Sequence, residues 1–182
     1  LCFCYSASKA EVNHGGHPKW ETLKNQILTL QDKKSDSVRH YLKIADSFVD
    51  QNDLSDKEHI FLQNTWGNYF AERQQSDSAI HFFKNSLKTL RQSGDQHLIH
   101  NQMLRLADVY NDSYMSDSAL RYYHRALSFF FFFYDSANIA ISLSGIATAL
   151  IESGHNKEAL EKLFEAEPIF KARRKYRELG VV

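Results

Sequence analysis

His97 and His100 come closest to a metal-ligand pair in this sequence. Three residues apart on a predicted helix, they would turn two imidazoles toward one ion. No third ligand at a helical spacing completes the set, so they read as two surface histidines. His14-Gly15-Gly16-His17 carries donors for copper or nickel, but it lies in a stretch read as linker. The only cysteines are Cys2 and Cys4, which leaves the rest of the chain without a disulfide or a thiolate nucleophile. No Gly-x-Ser-x-Gly, no His-Glu-x-x-His and no phosphate-cradling Gly-rich loop is present. The reading is therefore non-enzymatic, with no metal and no cofactor. Lys171-Ala172-Arg173-Arg174-Lys175-Tyr176-Arg177 packs five cations into seven residues, but Glu165, Glu167 and Glu178 flank it. It reads as a solvated helix face.

Such residues need elements to position them, and the composition points to helices. Among 182 residues only 7 are Gly and 2 are Pro, too few for a many-stranded sandwich or barrel. Apolar residues at 43% and charged residues at 24% are globular values. Lys+Arg and Asp+Glu both total 22, a formal net charge of zero. That balance argues against a dedicated nucleic-acid or anionic-membrane binder. The opening Leu1-Cys2-Phe3-Cys4-Tyr5, followed by small residues to Ala10, reads either as the tail of a secretory signal or as a plain chain end. The first reading implies an extracytoplasmic location, the second a cytoplasmic one. No later stretch reaches the roughly 18 apolar residues that span a bilayer.

The tetrapeptide Ser-Asp-Ser-small recurs at Ser35-Asp36-Ser37-Val38, Ser76-Asp77-Ser78-Ala79 and Ser116-Asp117-Ser118-Ala119. The steps from Val38 to Ala79, Ala119 and Ala159 are 41, 40 and 40 residues, the signature of a helical array. A large residue follows each at +4 and a small one at +7: Leu42/Ala45, Phe83/Ser86, Tyr123/Ala126 and Leu163/Ala166. That spacing lines one helix face, and the preceding Ser is a good N-cap. Twelve residues upstream stand Gly67, Ala107 and Ala147, each after a bulky residue (Trp66, Leu106, Ile146) and three before another (Phe70, Tyr110, Leu150). Small residues at matching depth let two antiparallel helices approach closely. Gly67 is expected against Ala79, Ala107 against Ala119, and Ala147 against Ala159.

This pattern resembles the tetratricopeptide repeat over about residues 55 to 170. The family's bulky–small pair, aromatic, and Ala–aromatic–Ala slots read Trp66-Gly67, Phe70, Ala79, Phe83 and Ser86, and twice more at 40-residue steps. Two features depart from it: the family period is 34, and the usual terminal proline is missing or, as Pro168, misplaced. A period near 40 resembles extended variants in kinesin light chains and in peptide-sensing bacterial regulators. The resemblance implies an all-α fold, a right-handed superhelical array of antiparallel helix hairpins. The expected map is a tail or signal remnant at 1–17 and a repeat domain at 18–182. Its repeats fall at about 18–52, 56–93, 96–133 and 135–170, with the start of another at 172–182.

By the same resemblance, first helices line a concave groove. Its lining would be Asn64, Asn68, Ala71 and Glu72, then Leu104, Asp108, Asn111 and Asp112, then Ser144, Thr148, Ile151 and Glu152. The stripe has four carboxylates and no Lys or Arg, which disfavours capture of a C-terminal carboxylate. It suits a neutral-to-basic polypeptide segment, with Asp108 as main charge selector and Asn amides holding the peptide backbone. Five consecutive phenylalanines, Phe129, Phe130, Phe131, Phe132 and Phe133, cover every side of a helix, so one packed face cannot hide them all. Stacking could hide three, and at least one is expected to stay exposed as a candidate interface. The expected function is a protein- or peptide-binding module, the sensor or scaffold part of a longer bacterial regulator. The alternative is a self-association (homodimer) module using the Phe-rich helix or the C-terminal helix.

Overall fold

The computed structural model describes residues 18–32, 37–52 and 55–178. Residues 1–17, with Cys2, Cys4, His14 and His17, lie outside them, as do Leu179 and Gly180 and the side chains of 173–178. Of the basic run, Lys171 is placed in an ion pair with Glu167 at 2.6 Å. All regular elements among the described residues are helices: α1 (Pro18–Asp32), α2 (Val38–Gln51), α3 (Asp56–Ala71), α4 (Ser76–Ser93), α5 (Gln96–Asp112), α6 (Ser116–Phe132), α7 (Ser136–Glu152) and α8 (Asn156–Glu178). No helix among them is long and apolar enough to cross a membrane.

The chain divides into two compact units, Leu1–Asn52 and Asp53–Val182. In the first, α1 packs on α2. Val38, Leu42, Ala45 and Val49 recur at steps of 4, 3 and 4 and are all buried, whereas Arg39, His40 and Lys43 between them are exposed. Trp20, Leu23 and Ile27 supply the α1 side, and Trp20 stacks on Phe48 at 6.2 Å.

In the second unit each helix packs on the next, from α3 to α8, and α5 also meets α7 directly. The small residues expected at the hairpin crossings are buried: Gly67, Ala79, Ala107, Ala119, Ala147 and Ala159; the side chain nearest to Gly67 is Phe83 rather than the expected Ala79. Of the large partners, Phe83 and Tyr123 are each 2% exposed, but Leu163 is 41% exposed. Phe83 lies against Gly67 of α3 and Tyr123 against Gly145 of α7, and no described element follows α8. Ser76 and Ser116 are not N-caps, contrary to the sequence expectation. Gln75 and Met115 hold the cap positions, and the serines fall in the first helical turn. The side-chain caps belong instead to Asp95 and Asp135, which accept from the N–H groups of Leu98 and Asn138.

Helices α3 to α7 each end at a left-handed residue: Gln74 (φ 57°), Gly94 (77°), Tyr114 (58°), Tyr134 (55°) and Gly154 (80°). These positions are 20 apart. After Gln74, Tyr114, Tyr134 and Gly154, the next N–H returns to a carbonyl five residues back, as from Met115 to Tyr110 at 2.9 Å. Such a turn suits glycine; an L side chain there costs about 1–2 kcal/mol. Helix α8 has no such stop and runs through residue 174. The break expected near residue 171 is therefore absent, and Pro168 is accommodated inside the helix.

Candidate functional site

Helix α5 is packed by α4, α6 and α7, which leaves it a narrow solvent-facing arc. After the first turn its exposed residues are Arg105, Asp108 and Asp112, at steps of 3 and 4. Leu104, expected in the groove, is buried at 5% exposure: with neighbours on three sides, its position falls on the core face. Arg105 takes its place on the open arc. The stripe is thus not free of cations. Arg105 Nη1 donates to Asn68 Oδ1 at 3.3 Å, joining α5 to α3.

A pocket of about 360 Å³ brings Asp108, Asn111 and Asp112 of α5 together with Ser144 and Thr148 of α7. Tyr123, Gly145 and Phe170 also line it. The Tyr123 hydroxyl donates to Asp108 Oδ1 at 2.6 Å, and Asn111 Nδ2 donates to Glu152 Oε1 at 3.1 Å. Asn111 is 5% exposed, and its Oδ1 is buried without a hydrogen-bond partner. Thr148 is satisfied within its own helix, by the Ser144 carbonyl. Asn64 and Asn68 on α3, and Glu72 just past its end, stand outside this pocket; Asn64 is half-buried and its Oδ1 also lacks a partner.

Asp108 keeps an exposed edge, yet the side chains crowding its carboxyl raise its pKa. Burial is the main cause and Asp112 adds to it; the Tyr123 hydroxyl and Arg105 pull the other way. Burial, then the charge of Asp108, pushes the Tyr123 hydroxyl far above the ordinary phenol range, so it stays a donor.

Tyr123, Gly145 and Arg105 were not singled out as site residues. A tyrosine where the preceding repeat has Phe83 was a usable signal, since a buried hydroxyl needs a partner. So was a glycine in mid-helix. A Cβ on Gly145 would lie 2.3 Å from the Tyr123 ring, so only glycine admits that ring between α6 and α7.

The phenylalanine run splits in two. Phe130 is fully buried and Phe129 half-buried, its ring parallel to His100 at 4.0 Å. Phe131, Phe132 and Phe133 are 67%, 76% and 58% exposed, so two of the five are hidden rather than three. His97 Nε2 lies 3.0 Å from Asp135 Oδ2. Burial pushes the Asp135 carboxyl up, but hydrogen bonds from Asn138 and His97 outweigh it and hold the carboxyl below its ordinary range. No group of three or more ligand-type side chains suited to a metal occurs among the described residues. No family model matches the sequence, and no curated protein is similar enough to it to count as a match.

Proposed function

We propose that this chain is a non-catalytic peptide-binding module of the tetratricopeptide type, a right-handed array whose α5/α7 pocket takes a neutral-to-basic segment. It would serve as the sensor or scaffold part of a longer bacterial regulator. The 40-residue step and the consecutive helix hairpins support the repeat type. One observation carries the binding reading. Asn111, which lines the pocket together with Asp108 and Asp112, has a buried carbonyl oxygen with no partner. A peptide N–H would satisfy that oxygen, and the carboxylates would favour cationic side chains beside it.

Asp108 is engaged by Tyr123, so reversing its charge would also break a hydrogen bond. Exposed Asp112 is the cleaner probe. In a fluorescence-anisotropy screen of peptide libraries, the parent is expected to retain basic peptides, more weakly as salt rises. Asp112→Lys should shift the preference toward acidic ones. Binding indifferent to that reversal, or none above background, rejects the groove.

A second reading, self-association, is favoured by α8. Leu160, Leu163 and Phe164 are 51%, 41% and 63% exposed on it. Light scattering across a concentration series, with Phe164→Glu as the disrupting variant, tests it.

A further inference from the structure

The zero net charge conceals a separation of charge by face. Lys84, Lys88 and Arg91 share one side of α4, and Arg121 and Arg125 share one side of α6; all five are exposed. No carboxylate interrupts either helix between its first turn and its end. Asp77 and Asp117 sit in the first turns, and Asp95 and Asp135 beyond the far ends are used as N-caps. Lys88, Arg91, Arg121 and Arg125 form none of the ion pairs found among the described residues. The Lys84 ammonium lies 5.6 Å from the centre of the Tyr110 ring, and that ring stacks on Tyr122, the residue next to Arg121. Continued along α6, Arg121, Arg125 and Ser128 lead at steps of 4 and 3 to Phe132. At aromatic side-chain areas of roughly 200 Å² each, exposed Phe131, Phe132 and Phe133 present about 400 Å² of ring surface. Left-handed Tyr134 stands beside them, 88% exposed.

We infer that the α4/α6 face docks on an anionic lipid surface, with Phe131, Phe132 and Phe133 entering the headgroup–acyl boundary and the Lys and Arg stripes meeting the headgroups. Cations beside a compact aromatic tip suit that chemistry. A bilayer offers the rings an apolar layer and the cations a sheet of negative charge at one depth. The face lies on the second helices, away from the α5/α7 pocket. It revises the exclusion drawn from net charge, which holds only for charge spread evenly.

The test is flotation of the protein with phosphatidylcholine vesicles, with and without phosphatidylglycerol. Binding is expected with the anionic vesicles only, and its loss as salt rises from ~0.1 to ~0.5 M. Each cation is worth about fivefold in partitioning, so Arg121→Gln/Arg125→Gln should weaken it about 25-fold. Phe132→Ser/Phe133→Ser should abolish it with an unchanged far-ultraviolet spectrum. A Phe132→Trp variant reads insertion directly: its emission should shift to the blue on anionic vesicles and be quenched by brominated lipid. The inference is overturned by equal binding to neutral vesicles, or by no response of either double variant or the tryptophan. Binding to single-stranded RNA or heparin without vesicle binding overturns it too. So does a Phe132-dependent dimer that leaves vesicles unbound.

Discussion

Gly145→Ala is the sharpest test of how the pocket is built. Position 145 is inside α7, where alanine is intrinsically better than glycine by about 1 kcal/mol. Against that gain stands the Tyr123 ring, with Cε1, Cζ and Cδ1 at 2.3, 2.4 and 2.9 Å from the added Cβ. The ring is 2% exposed and cannot swing into solvent. Overpacking of this kind costs about 1–3 kcal/mol. Displacing the ring also stretches the hydroxyl bond to Asp108; a hydrogen bond to a charged group contributes about 1.5–3 kcal/mol. The net expectation is a destabilisation of about 1–3 kcal/mol, the clash and hydrogen bond outweighing the propensity gain. Urea unfolding followed by circular dichroism measures it as a lower midpoint at unchanged slope. In a Tyr123→Leu background the same substitution should be near neutral, giving a coupling of about 2 kcal/mol across the cycle. If Gly145→Ala matches or exceeds the parent in stability, the close approach of Tyr123 to α7 is wrong.

Three further outcomes are expected. Burial raises the Asp108 pKa above its unfolded value, so stability falls as pH rises through the folded value and then levels. Asp108→Asn should therefore gain in melting temperature over the parent at about pH 7, with the gain shrinking toward about pH 4; a constant difference would contradict this. Tyr114→Gly relieves a left-handed side chain that is 85% exposed. It should stabilise by about 1 kcal/mol, a rise of roughly 2–4 °C, and calorimetry showing no rise would reveal a partner for the ring. Ala119→Leu inserts bulk at a site with no exposed surface and should cost about 1–3 kcal/mol; melting like the parent would refute the hairpin register.

The hairpins were legible because size alternation in sequence is the same quantity that sets helix spacing. Ala79, Ala119 and Ala159 are small at 40-residue steps and buried, and the helices that carry them each pack on the preceding one. The pocket was only partly legible. Asp108, Asn111, Asp112, Ser144 and Thr148 line it, but Leu104 is buried and Arg105 is open. A one-position slip of this kind arises because the open arc of α5 depends on α4, α6 and α7 together, which no pattern within α5 encodes. The Tyr123–Asp108 bond joins residues 15 apart through helix packing, so it carries no local signature. The basic faces were hidden by counting. A sum over the chain cannot show that α4 and α6 hold cations on one side while Asp108 and Asp112 stand on α5.

The left-handed residues at 74, 94, 114, 134 and 154 also set how such a chain can change length. One residue inserted within α6 would rotate everything after it by about 100°, carrying Phe130 out of the core. An addition beside Tyr134 would only enlarge a reversal. Duplicating 20 residues would preserve every helix face but exchange the two kinds of helix, setting an Asp108-like carboxylate where Ser128 belongs and an Asp112-like one where Phe132 does. Duplicating 40 preserves both face and kind, so the chain can grow in steps of 40 without rewriting its surface.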